Sequence, residues 1–73
     1  MVDSGKITCT FTFPTFEEAM NFVNHVAHVA ETVNHHPDIH IAYNTVTLEM
    51  WTHSVNGLSE KDFTLASKIE MLL

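Results

Sequence analysis

The chain has 73 residues, 45% of them hydrophobic, with three basic and nine acidic side chains and a formal charge of −6. One small domain fits that length, and the lone cysteine, Cys9, excludes an internal disulfide, so self-association or a metal is left to supplement a small core. The acidic balance excludes a phosphate-neutralising nucleic-acid surface and docking to an anionic membrane, and no apolar run approaches the roughly 20 residues of a membrane span.

The start, residues 1–5, has neither the basic end nor the apolar stretch of a secretory signal, so a cytoplasmic protein is expected. Residues 6–13 alternate strictly. Ile7, Cys9, Phe11 and Phe13 face one way and Thr8, Thr10 and Thr12 the other, the pattern of a half-buried strand. Thr15 with Glu18 opens a helix through a capping box. Phe16, Ala19, Met20, Phe22, Val23, Val26, Ala27, Ala30 and Val33 give its apolar stripe. Glu17, Asn21, Asn24, His28, Glu31 and His35 line a polar one. Pro37 forbids continuation and drives His36 toward an extended conformation.

Residues 38–44 alternate again, Ile39, Ile41 and Tyr43 against Asp38, His40 and Asn44. A tight turn at Asn44-Thr45 leads into residues 46–53, where Val46, Leu48 and Met50 oppose Thr47, Glu49, Trp51 and His53. Residues 55–57 read as a loop. Ser59 caps the last helix, Asp62 completes its capping box, and Leu58 with Phe63 suits a hydrophobic staple. Phe63, Ala66, Ile69 and Leu72 or Leu73 are its expected buried face, with Met20, Met50 and Met71 as core filler. The order β-α-β-β-α predicts an α+β domain of two layers, helices on one face of an antiparallel sheet. Open sheet edges invite pairing with another copy, so a homo-oligomer, dimer or tetramer, is expected.

Six histidines point to site chemistry. Glu31 and His35, four residues apart, share a helix face, His36 follows, and His53 converges on them if the hairpin crosses the helix end. Imidazoles that exchange protons near neutral pH, with a carboxylate to fix a tautomer, suit general acid/base catalysis. A histidine at a helix end also serves simply to cap carbonyls. His25, His28 and His40 read as solvated surface residues. Zinc would need three or four converging ligands, but there is no His-Glu-x-x-His and the adjacent His35 and His36 chelate one ion awkwardly, so no metal is expected. Trp51 and Tyr43 are flat enough to stack on a heterocycle and equally suit packing.

Glu31, His35-His36-Pro37, Tyr43, His53 and Asp62, in this order and spacing, resemble the signature of the pterin-4a-carbinolamine dehydratases, the family that includes a dimerisation cofactor of hepatocyte nuclear factor. The stretch Gly57–Ala66 is similar to the family too, and the likeness runs from Phe11 to the C-terminus. The resemblance implies loss of water from a 4a-hydroxytetrahydropterin to give quinonoid dihydropterin, a hydro-lyase step in tetrahydrobiopterin recycling, with no cofactor or metal. By position, His35 and His53 would transfer protons, and His36 would bind the pterin or stabilise the leaving hydroxyl. Glu31 and Asp62 would support the site, and Thr52 falls where the family's backbone contacts the pterin. Both His35 and His53 lie at element ends, so removing either is expected to leave the fold intact. The family's usual N-terminal helix and further strand have no counterpart here, a short form. Ile39-His40 replaces a commonly aromatic pair and Lys61 a frequent arginine. Some relatives bind proteins instead, as transcriptional coactivators or Rubisco assembly factors. That alternative, a protein-binding module on the same fold, is disfavoured by intact His35, His36 and His53.

Overall fold

The computed structural model describes residues 5–73 and the backbone of Val2 and Asp3. Four antiparallel strands, β1 (Val2–Asp3), β2 (Lys6–Thr12), β3 (Asp38–Ala42) and β4 (Thr45–Met50), form one sheet in the order β1-β2-β4-β3. Helices α1 (Phe16–Val33) and α2 (Glu60–Glu70) interleave with them. The three longer strands and both helices are the predicted α+β arrangement. The two-residue β1 is an addition, too short to show a period in sequence. It turns into β2 at Gly5, whose φ of +76° suits a residue without a Cβ.

The register of β2 on β4 puts Ile7 opposite Met50, Cys9 opposite Leu48 and Phe11 opposite Val46. β3 adds Ile39 opposite Leu48 and Ile41 opposite Val46. The alternation of β2 and β4 thus presents one apolar face, and both helices cover it. Val46, Leu48 and Met50 are fully buried against Ala19, Phe22, Val26 and Ala30 of α1 and Leu65 and Ile69 of α2. Phe22 takes Phe11 and Phe13 in tilted ring contacts with centroids 5.0 and 5.1 Å apart.

Local signals set the element ends. Thr15 caps α1 by accepting from the Glu18 N–H at 3.1 Å. At the other end Asn34 adopts a left-handed φ of 54°, and its N–H bonds Ala30 and Glu31 carbonyls. α1 therefore stops before His35, and His35 does not continue the polar stripe predicted for it. The hairpin turn falls on Tyr43-Asn44, one residue earlier than expected, because Ala42 pairs with Thr45. The Asn44 side chain and backbone clamp this turn to Phe13, donating Nδ2 to its carbonyl at 2.7 Å and accepting its N–H at 2.9 Å.

The phase of α2 differs from expectation. Asp62, Leu65 and Ile69 face inward, whereas Phe63 is 52% exposed and Leu72, Leu73 and Met71 lie outside the core. Asp62 decides this. Its carboxylate is satisfied inside the protein, so the helix turns it inward and Phe63 rotates out.

Candidate active site

The loop from α1 to β3 and the segment after β4 meet at one end of the sheet. Asn34, His35, His36, Pro37, Asp38, Trp51, Thr52, His53 and Ser54 line a concave surface there of about 410 Å³. His35, His36 and His53 thus share one groove. The left-handed Asn34 and the following Pro37 aim the first two, and a short 3-10 turn, His53–Val55, carries the third. That turn is closed by Asn56 at φ 48° and by paired backbone bonds between Thr52 and Gly57. Gly5 packs against this turn, and a Cβ there would sit 3.3 Å from the Gly57 Cα, which favours glycine at position 5.

Behind the groove lies a polar cluster. Asp62 is fully buried, and three donors reach it: His35 Nε2–H at 2.6 Å, the Thr52 hydroxyl at 2.7 Å and the Ser59 N–H at 3.0 Å. Ser59 Oγ contacts the Thr52 hydroxyl at 2.6 Å. Burial alone would raise the Asp62 carboxyl, but the hydrogen bonds from His35, Thr52 and Ser59, with the positive charge His35 carries when protonated, outweigh it and hold the pKa below its ordinary value. An ionised carboxylate only accepts. It therefore fixes the His35 proton on Nε2 and leaves Nδ1 as the nitrogen able to take another.

Glu31 pairs with His36, not with His35, through His36 Nε2 and Glu31 Oε2. The helix ends between Glu31 and His35, so the four-residue spacing does not act. Both partners are exposed, and such a surface pair contributes about 0–1 kcal/mol. Asp62 cannot touch a ligand in the groove, and the backbone N–H and C=O of Thr52 are both engaged by Gly57. Asp62 thus stands behind the groove, where it supports His35, while Thr52 is one of the residues that line it. His25 and His28 are on the surface of α1, and His40 lies 3.5 Å from Glu49 at the exposed face of the sheet. Tyr43, part of the signature, is 70% exposed at the opposite end of β3, roughly 17 Å from the groove by the rise of a five-residue strand. Ser59 was missed as part of the cluster, although its place one turn before Asp62 marked it.

Among the described residues no three His, Cys, Asp or Glu side chains gather as a metal ligand set. No helix of the described residues is long and apolar enough to cross a membrane.

The family model described as Pterin 4 alpha carbinolamine dehydratase matches residues 1–72. This chain belongs to that family. Among pterin-4-alpha-carbinolamine dehydratase relatives, all provisionally so named, one from Herpetosiphon aurantiacus is 48% identical over 71 residues, covering 97% of this chain and 74% of the relative. One from Chloroflexus aurantiacus is 46% identical over 72 residues, covering 99% and 77%. One from Rickettsia canadensis is 44% identical over 66 residues; there the match spans 90% of this chain but only 61% of the longer relative. A crystal structure described as a transcriptional coactivator/pterin dehydratase from Brucella melitensis superposes with a TM-score of 0.86 at 35% identity, covering 96% of this chain and 82% of that one. A pterin dehydratase-like protein described as a RuBisCO assembly factor in the alpha-carboxysome shares the pterin dehydratase fold, with a TM-score of 0.80 at 16% identity, covering 99% and 83%.

Proposed function

We propose that the protein is a 4a-hydroxytetrahydropterin dehydratase, acting without cofactor or metal in tetrahydrobiopterin recycling in the cytoplasm. The observation that carries this reading is the gathering of His35, His36 and His53 on one groove with an ionised Asp62 fixing His35 from behind. Dehydration needs a base at a ring N–H and an acid at the C4a hydroxyl. His35, with Nδ1 unprotonated, takes the ring proton as the C4a–O bond breaks. His53 protonates the departing oxygen, which leaves as water, and the ring relaxes to quinonoid dihydropterin. His36, held by Glu31, binds the pterin or stabilises the leaving hydroxyl. The test is the rate of quinonoid dihydropterin formation from the 4a-hydroxypterin, and a wild-type rate equal to buffer ends the reading. The protein-binding alternative would then take over, favoured by the Brucella relative's description as both coactivator and dehydratase.

Two properties belong to this reading. Metal is not required, so chelation should leave the rate unchanged. Stoichiometric zinc by elemental analysis of untagged protein, with activity lost on chelation, would reverse that. The protein also works as a homo-oligomer. The outer edge of β3 is open among the described residues, and a 73-residue core is small. Light scattering at micromolar concentration should give at least a dimer; a monomer of 8.3 kDa alone would contradict it.

A further inference from the structure

The three histidines of the groove are oriented by different means. His35 is held by Asp62 and His36 by Glu31, each through a ring nitrogen. His53 is exposed, and among the described residues its ring makes no hydrogen bond. Its contact is with Trp51, whose ring lies 3.8 Å away between centroids at an interplanar angle of 28°. Trp51 is itself tied down. Its Nε1–H donates to Asp38 Oδ2 at 3.2 Å, and Lys6 Nζ sits 5.3 Å from its ring centroid.

We propose that Trp51 is the positioning residue of His53, anchored by Asp38 and Lys6. A stack fixes the plane of an imidazole without occupying either nitrogen. A hydrogen-bonded partner, as at His35, uses one. An acid that must deliver a proton and be recharged keeps both nitrogens available in this arrangement. The same stack means that Trp51 serves His53 rather than being an open platform for the heterocycle. Trp51 and its two anchors draw on three strands. Lys6 opens β2, Asp38 opens β3 and Trp51 follows β4, so the sheet end itself sets the orientation of His53.

The inference rests on the dehydratase reading for its kinetic consequence but not for its geometry, and the test separates the two. Trp51→Leu keeps an apolar side chain and removes the stack; Trp51→Phe keeps a ring and loses the Asp38 bond. Proton NMR of the His53 ring, assigned by its absence in His53→Ala, should show upfield ring-current displacement in the wild type. That displacement should vanish in Trp51→Leu and persist in Trp51→Phe. In the dehydration assay Trp51→Leu should lose about 10–10²-fold in kcat, the scale of a misplaced catalytic group, with KM unchanged, and Trp51→Phe should restore most of it. Circular dichroism checks the fold. A His53 resonance indifferent to Trp51→Leu, or a Trp51→Leu kcat equal to wild type, would overturn the proposal. A wild type inactive above buffer sinks the dehydratase reading instead, and the resonance alone then decides the positioning role.

Discussion

Replacing His53 by alanine is expected to slow quinonoid dihydropterin formation by about 10²–10⁴-fold, or roughly 3–5 kcal/mol of barrier, with the fold unchanged. A carbinolamine loses water unaided, so on the proposed dehydratase reading only proton placement is left to contribute, and removing the proposed acid removes most of that contribution. His53 is exposed on a 3-10 turn and fills no part of the core, so stability should change by less than about 1–2 kcal/mol. His35 differs. Its side chain is 13% exposed and it supplies one of three donors to a buried carboxylate. His35→Ala should lose a comparable rate and also destabilise the protein by about 1–3 kcal/mol, the cost of an unsatisfied buried group. The expectation from sequence that both replacements are structurally silent is therefore kept for His53 and revised for His35. His25→Ala, on the exposed side of α1, is the control and should match wild type. Stopped-flow rates beside circular dichroism make the comparison, and near-wild-type rates in both site variants would remove the catalytic role from these histidines.

Asp62→Ala should produce the largest stability loss at a single polar side chain, about 3–5 kcal/mol, because it strands His35, the Thr52 hydroxyl and the Ser59 N–H together. A 73-residue domain has a total stability of only about 4–11 kcal/mol, so this variant should be near its folding limit at room temperature. Urea midpoints at unchanged m give the measurement. Asp62→Asn, of equal size, isolates the charge. The folded protein holds the Asp62 pKa below its unfolded value, so the unfolded state takes up the proton first as pH falls. The stabilisation is present in full above the ordinary carboxylate pKa of about 3.9, and it is lost as pH drops through the lower folded value. The stability gap between wild type and Asp62→Asn should accordingly be constant near neutrality and shrink in acid below about pH 4. A gap that stayed the same across that range would show that the charge of Asp62 does not stabilise the fold.

Much of this protein was legible in one dimension. Strict alternation in residues 6–13 and 46–50 fixed which strand faces are buried, because a two-residue period leaves no choice once one face is apolar. Thr15 and Ser59 marked the helix starts, and the His-His-Pro spacing marked the loop that lines the candidate groove, because caps and prolines act through their immediate neighbours. Spacing did not reveal partners. Glu31 was matched to His35 by helical geometry, yet the left-handed Asn34 ended the helix first and gave Glu31 to His36. Asp62 read locally as a capping-box residue, and only the approach of His35 and Thr52 from distant segments made its burial stable and set the phase of α2. Trp51 carried no signal of its role, since its stack on His53 takes its meaning from Asp38 and Lys6 arriving at the same sheet end. Periodicity and caps are properties of adjacent residues, whereas the orientation of an imidazole depends on contacts made only when strands and helices close on one another.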